Sequence, residues 1–400
     1  MKLDRRDFIL GTAGVALTLR GNPAAAAEAV ELPFANGRRQ LVAYPQKRPL
    51  IQLTARPPQL ETPFAVFNQG ILTPNDAFYV RYHLANIPLA IDEAEFRLAI
   101  GGDKVDRPLS LSLAEIKALE PVEVVAVNQC SGNSRGFFEP RVGGGQWGNG
   151  AMGNARWKGV ALKTLLDMAG IRAGARQVTF NGLDEPPDPA TPDYVKALDI
   201  DHARDGEVML AYQMNGEDLP WLNGYPLRLV VPGHYGTYWV KHLNQITVID
   251  SPFEGFWMKP AYRIPANDCA CVEPGKTAAV TVPISRCNVR SFVTSHADGA
   301  QVAAGKTLHL RGIAFDGGYG ITEVLVSVDG GAHWIGAALG EDFGKYSFRE
   351  WRLPLVLAKG ERNVAVRATN RIGQSQPMEA LWNPPGYMRN VVETIRLHAV

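Results

Sequence analysis

From about residue 272 onward the chain alternates side chains with a period of two, and glycine- and aspartate-bearing turns interrupt the alternation at short spacing. Leu308 and Leu310 alternate with His309 and Arg311. Val324, Val326 and Val328 alternate with Leu325 and Ser327 ahead of the turn Asp329-Gly330-Gly331, and Val364, Val366 and Ala368 alternate with Ala365 and Arg367. Successive side chains of a strand point to opposite faces, so each run buries one face and leaves the other to solvent. Repeated without a helix signal, such runs predict an antiparallel β-sandwich of immunoglobulin-like size. The stretch VEPGKTAAVTV carries Pro and Gly at the change of texture and sets the boundary, with the sandwich over 273–400.

The 400 residues are too many for one ordinary core, which predicts a second domain before the sandwich. Forty glycines and 28 prolines mean many turns and short elements. Two helices are signalled. In SLAEIKALE, Ser112 and Glu115 form a capping box while Leu113, Ile116 and Leu119 recur at helical spacing. In VALKTLLDMAG, Leu162, Leu165 and Leu166 share a side and Gly170 ends the helix. Strand-like runs such as QVTFNG and LRLVVPG fill much of the remainder, and residues 31–45 read as an extended arm. The expected fold class is α+β, a mixed α/β domain over 28–272 followed by the sandwich. A net charge of +1, with no long basic run, gives no footprint for nucleic acid.

The N-terminus, MKLDRRDFILGTAGVALTLRGNPAAAAEAV, pairs Arg5 with Arg6 ahead of Phe8, an apolar stretch from Ile9 to Leu19 and a run of small residues. This is the pattern of a twin-arginine export signal over 1–27, and the apolar stretch is shorter than the ~20 residues a membrane span needs. No other segment is apolar enough to cross a bilayer. The expected location is the periplasm. Because that route is associated with cargo folded before export, often around a cofactor, a cofactor is expected too.

Four segments place polar residues where a packed domain has no need of them. FYVRYHLANIP sets Arg81 and His83 two apart on one strand face. VEVVAVNQCSGNSRGFFEP delivers Cys130 from a strand into a small, polar turn, with Arg135 five positions on. GLDEPPDPATPDY puts Asp184 after a strand and Tyr194 at the end of a proline-rich loop, and LNGYPLRLVVPGHYGTYWVKHL carries Arg228 in an apolar strand and Lys241 beyond a glycine-bearing turn. Taken singly, Arg81 reads equally as half of an ion pair, His83 as a structural histidine and Cys130 as a small buried hydrophobe.

Together the segments resemble the sulfite oxidase family of molybdenum enzymes. Cys130, Gly132, Asn133 and Arg135 match its C-x-G-N-x-R context, and Phe78, Val80, Arg81 and His83 its F-x-V-R-x-H segment. Ala155, Arg156, Trp157 and Gly159 match A-R-W-x-G; Gly182 to Asp184, Gly224 to Arg228, and Val240 with Lys241 follow in the family's order. The stretch from Gly312 to Trp334 resembles the family's dimerisation domain, which implies a homodimer. The resemblance implies a molybdenum–molybdopterin cofactor with Cys130 as the single protein ligand, a soft thiolate suited to that metal. It implies cofactor contacts from Tyr79, Val80, Arg81, Tyr82, His83, Asp184, Asn223, Arg228, Trp239, Val240 and Lys241, with Asn223 standing where relatives commonly carry His. For the reaction it implies Arg81 and Arg135, with His83 beside them, on the oxygens of sulfite. Tyr262 would assist proton movement and Trp147 would line the pocket.

Vertebrate members place an arginine after the glycine run of the second domain, where this chain reads Gly317-Gly318-Tyr319-Gly320, so a less positive pocket is expected. There is no C-x-x-C-H, hence no covalent haem in this chain, and a periplasmic c-type cytochrome is the expected electron acceptor. The readings weighed against sulfite dehydrogenase are an exported methionine-sulfoxide reductase and a secreted binding protein. Of the other cysteines, Cys287 with Cys269 or Cys271 is the disulfide considered.

Overall fold

The computed structural model describes residues 29–32 and 37–400, so the expected export signal lies outside the described residues. Among the described residues three larger sheets precede the sandwich, with a two-stranded pair, Arg263–Pro265 and Thr281–Pro283, between them and it. The first is a ribbon of five short strands in chain order, Ala29–Leu32, Gly37–Val42, Leu50–Thr54, Gln59–Glu61 and Val80–Arg81. The segment expected as an extended arm is the outer half of this ribbon. Its last strand is two residues long and sets Val80 opposite Leu60 and Arg81 opposite Gln59. Leu50, Leu60, Val80 and Tyr82 form a small apolar cluster, which faces Val80 inward and leaves Arg81 on the opposite side.

The second sheet is mixed, in the order Lys196–Asp199, Gln177–Gly182, Leu243–Ile249, Arg97–Gly101 and Leu109–Ser112, with Leu243–Ile249 parallel to Arg97–Gly101. The third is antiparallel, in the order Glu217–Asp218, Met209–Met214, Met152–Ala161 and Val122–Gln129, with Arg228–Val230 also paired to Met209–Met214. Val122–Gln129 stays in register against its neighbour from Val122↔Gly159 to Gln129↔Met152, which fixes where the chain leaves the sheet at Cys130. The helix Leu113–Lys117 begins at the Ser112–Glu115 capping box. Leu162–Ala169 buries Leu162, Leu165 and Leu166 and stops at Gly170, whose φ of 73° suits a residue without a Cβ. Sheets and short helices share one large core, and the fold is α+β.

The sandwich packs Arg290–Val293, Thr307–Phe315, Arg349–Val356 and Ala338–Leu339 against a second sheet. That sheet orders Ala300–Val302, Glu393–Ala399, Gly360–Asn370, Ile321–Ser327 and Ile335–Gly336. Its core contains Leu310, Val324, Val326, Trp351, Val364, Val366 and Ala368, the inward halves of the alternating runs. One pair departs from the antiparallel expectation, since Ala300–Val302 runs parallel to Glu393–Ala399. The chain leaves the first sheet after Val293, touches the edge of the second for three residues and returns at Thr307, so it meets the last strand in the same direction.

The disulfide considered for Cys287 is not the one formed. Cys269 is bonded to Cys271, while Cys287 is free and only 6 % exposed, packed in the core of the first part. Cys269 is exposed, so a Cys287 bond would require drawing a surface thiol into that core. The two halves also share a seam. Phe67, Val127 and Met152 cluster with Phe292, Ile313, Phe315 and Phe348, and the Val127 amide donates to Tyr346 O at 2.9 Å.

Candidate functional site

Cys130 sits where the third sheet releases the chain, and backbone bonds hold it there. Its amide donates to Ala151 O at 2.9 Å, and its carbonyl accepts from the Asn133 amide at 2.9 Å to close the turn. Asn133 Oδ1 takes the Ala151 amide at 3.0 Å, and the Ser134 amide, at a left-handed φ of 68°, donates to Gly148 O at 2.7 Å. The neighbouring loop is held from outside by Glu61, whose buried carboxylate accepts the amides of Gly148 and Gly150 at 2.9 and 2.8 Å. The thiol is free, 9 % exposed, and part of the wall of a recess.

Arg81, on the ribbon's last strand, and His83, two residues past it, line the same recess. Burial works against the Arg81 charge, but Tyr262, Cys130, Tyr194 and Tyr387 around it more than offset that and hold the guanidinium protonated. His83 is pushed well below the usual imidazole range, first by burial and then by Arg81, Lys241 and Lys196. It is therefore a neutral ring at neutral pH, hydrogen-bonded through Nε2 to Tyr262 OH. Its faces are fixed by Tyr194, stacked at 3.8 Å, and by Trp257, edge-on at 4.8 Å. Tyr262 itself lies at a φ of 57°, a conformation costly for a residue with a Cβ and one that concentrates at working sites. Burial raises its phenol far above the ordinary value, so the hydroxyl keeps its proton.

The deeper wall is polar. Tyr79 OH donates to Asn128 Oδ1, and Gly236 lies so close that a Cβ there would stand 2.7 Å from that oxygen and 2.9 Å from the phenol. Asn223 donates to Tyr79 O at 3.1 Å and accepts from Lys47 Nζ, which also reaches Asn75 O at 2.6 Å and Phe78 O at 3.0 Å. Arg228 donates to Asn223 O at 2.7 Å and stacks over Trp157, with Trp239 beside it; burial lowers it to about 10. Lys241 donates to Arg81 O at 2.7 Å and lies over the Tyr82 ring. Burial drives Lys241 well down and Asp184 up to about 6, each opposed by the charge of the other.

Of the residues expected from sequence, Cys130, Tyr79, Arg81, Tyr82, His83, Asp184, Asn223, Arg228, Trp239, Lys241 and Tyr262 all line this recess. Val80 and Val240 do not. They alternate with lining residues and pack into the apolar clusters behind them. Trp147 is 1 % exposed and stands edge-on to Tyr79 at 6.4 Å, a core aromatic behind the wall. Arg135 is also set back. Its Nε donates to Pro385 O at 3.1 Å and Nη1 to Gly145 O at 3.3 Å, and the guanidinium lies over the Tyr387 ring at 4.9 Å. Tyr387 in turn stacks on Tyr262 at 5.3 Å, so Arg135 touches the site through two tyrosines.

Sequence reasoning missed Asn128, Ser131, Thr237, Lys47 and Tyr387. Asn128 was within reach, because it lies two residues before Cys130 on the same strand face. No local signal marks Lys47 or Tyr387, which arrive from the ribbon and the sandwich.

Three cationic side chains, Arg81, Arg228 and Lys241, face the recess against one carboxylate, Asp184. Buried positive charge in that excess calls for an anion. Ser131 Oγ, Gln129 Oε1 and Arg228 Nε are buried without hydrogen-bond partners at or beside this wall, and Gly236 packs so closely on Asn128 and Tyr79 that no side chain could stand there. The residues therefore fit a phosphate-bearing pterin with a soft metal presented to the Cys130 thiol.

Residues 83–257 match the family model described as the oxidoreductase molybdopterin binding domain, and residues 281–399 that of the Mo-co oxidoreductase dimerisation domain. Sulfite oxidase of Gallus gallus is 33 % identical over 362 residues, covering 86 % of this chain and 77 % of its own. Sulfite oxidase of Arabidopsis thaliana is 30 % identical over 385 residues, covering 89 % and 96 %. Among solved structures, the sulfane dehydrogenase SoxCD of Paracoccus pantotrophus superposes with a TM-score of 0.72 over 97 % of this chain and 93 % of that one. At 22 % identity it speaks for the fold alone.

Proposed function

Since this chain belongs to the sulfite oxidase family of molybdenum oxidoreductases, we propose that it oxidises sulfite to sulfate with Cys130 as the protein ligand to the metal. The observation that carries the reading is the free Cys130 thiol in one recess with Arg81, His83 and Tyr262. Bound there, the molybdenum–pterin group supplies a two-electron redox centre. The chain supplies the rest. Arg228, Lys241, Asp184, Tyr82, Trp239 and Asn223 form the polar cradle for the pterin and its phosphate, and Ser131 Oγ and Arg228 Nε offer donors that the fold leaves unspent. Arg81, kept charged, draws a small oxyanion toward the thiol end of the recess. His83 fixes the Tyr262 hydroxyl by a hydrogen bond, and that phenol holds a proton at the pocket wall. Arg135 acts at one remove, by setting Tyr387 against Tyr262.

The twin-arginine pattern over residues 1–27 supports export of the folded protein to the periplasm. There a separate c-type cytochrome is the electron acceptor of this reading, and the segment matching the dimerisation domain is the surface for a homodimer. Among the described residues no helix is long and apolar enough to cross a membrane. The test is sulfite-dependent reduction of cytochrome c by protein made in a host competent for pterin synthesis, with metal analysis alongside. About one molybdenum per chain and sulfite-dependent reduction are expected. Molybdenum without sulfite-dependent reduction would refute the substrate assignment, and its absence the Cys130 site.

A further inference from the structure

Lys196 is a buried titratable group beside the recess for which the proposed reaction has no task. It is 1 % exposed and opens the edge strand of the mixed sheet, two residues after Tyr194. Tyr194 stacks on His83, and Lys196 reaches the other member of the same pair: its Nζ lies 5.0 Å from the Tyr262 ring centre and 4.7 Å from that of Tyr238. The ammonium donates to Trp257 O at 2.5 Å, and Trp257 is the residue set edge-on against His83. Burial alone lowers Lys196, to about 7, and no carboxylate pairs with it among the described residues. A buried cation with one carbonyl partner and two ring faces costs the fold stability, and groups kept at that cost concentrate at working sites.

We propose that Lys196 is a positioning residue for the Tyr262–His83 hydrogen bond, tying the Trp257 backbone to the sheet edge and holding a positive charge against the Tyr262 ring. A cation on a phenol ring is attracted by its π face, and the same charge opposes protonation of the nearby imidazole. The Lys196 charge thus adds to burial and to the Arg81 and Lys241 charges, which keep His83 the neutral acceptor of the Tyr262 hydroxyl. The groups facing Lys196 are the Tyr238 and Tyr262 phenols and the Trp257 carbonyl, and beyond Tyr262 His83 is flanked by Arg81 and Lys241. Lys196 is brought by burial to about 7, so its charge changes near neutral pH.

The experiment compares wild type, Lys196→Met, Tyr262→Phe and the double variant, with Lys196→Gln held in reserve against a folding failure. The first readout is independent of turnover: ¹⁵N-histidine spectra followed through pH, in which the His83 titration midpoint rises in K196M. The second rests on the sulfite reading. The kcat falls about tenfold with KM changed by less than about threefold, the decline in kcat through pH ~7 is lost, and the Lys196 effect vanishes once Tyr262 is Phe. The thermal midpoint of K196M stays at or above wild type, which a merely structural lysine would not allow. An unchanged His83 midpoint, or additive effects of K196M and Y262F on kcat, would overturn the proposal. Wild type inert toward sulfite would instead sink the substrate assignment, and the His83 midpoint alone would then decide the role of Lys196.

Discussion

Gly236→Ala is the smallest perturbation that separates a pterin cradle from a chance cluster of polar residues. The backbone at Gly236 is not left-handed, so alanine is conformationally acceptable and only the added methyl is tested. That methyl would meet Asn128 Oδ1 at 2.7 Å, Tyr79 OH at 2.9 Å and Gln129 O at 3.2 Å. None can retreat cheaply, since the first two are hydrogen-bonded to each other and the third is the backbone oxygen preceding Cys130. Overpacking of this kind costs about 1–3 kcal/mol, and loss of the Tyr79–Asn128 bond adds about 1 kcal/mol. If the whole falls on the recess, cofactor binding weakens by about 30- to 1,000-fold at about 1.4 kcal/mol per decade. The control is Gly70→Ala, where nothing lies within 4 Å of the new methyl. Both variants are made in a pterin-competent host and assayed for molybdenum per chain and for circular dichroism. Native dichroism with molybdenum depleted in G236A alone is expected. Wild-type molybdenum in G236A would refute the placement of the cofactor against Asn128 and Tyr79.

Replacing Arg81 by Gln removes a charged donor set worth about 1.5–3 kcal/mol, so KM for sulfite should rise about 10- to 150-fold with native thermal stability; an unchanged KM removes Arg81 from substrate binding. Cys130→Ser should leave the fold intact and abolish sulfite-dependent reduction, and full turnover would sink the ligand assignment. Denaturation in an alkylating agent without reductant should label Cys130 and Cys287 and spare Cys269 and Cys271; label on Cys269 would refute the short disulfide. Burial raises the Glu61 carboxyl from 4.5 to about 7. The folded state thus holds that proton more tightly than the unfolded chain, and stability should fall by about 3 kcal/mol as pH rises through that interval. Chemical denaturation from pH 4.5 to 8 should show this loss in wild type and a flatter profile in Glu61→Gln, and identical profiles would refute it.

What was legible in the sequence was local. The capping box at Ser112, the stop at Gly170 and the alternating runs of the sandwich each depend on a few neighbouring residues, and the structure has all of them. The lining residues expected from motifs were also found, because a motif of strand plus turn carries its own geometry. Val80 and Val240 are the motif positions whose side chains turn away from the recess into the apolar clusters behind it. Arg135 shows the other limit. Its place is set by Pro385 O, Gly145 O and Tyr387, the first and last some 250 residues away, and no spacing within the Cys130 motif could reveal them. Cys287 likewise looked available for pairing until the core closed around it.

These long-range contacts assign the sandwich a part in the site as well as in any dimer. The Met388 amide donates to Ser131 O at 2.9 Å, one residue from the thiol. Arg290, fully buried, donates to Ser134 Oγ at 3.0 Å and to Glu393 at 2.5 Å, so the left-handed turn after Cys130 is braced by a charge pair belonging to the second half of the chain. Tyr387 completes the contact by stacking on Tyr262. Removing the sandwich would therefore leave the Ser131 carbonyl and the Ser134 hydroxyl without these donors and Tyr262 without its stacking partner. Separating the halves also exposes the aromatic seam of Phe67, Phe292, Phe315 and Phe348. Each large side chain in that cluster contributes about 1.5–3 kcal/mol of burial, enough for the two halves to stay docked under the conditions in which the site works. The recess is in this sense a product of both halves, with the cradle built by the first and the thiol end held in place by the second.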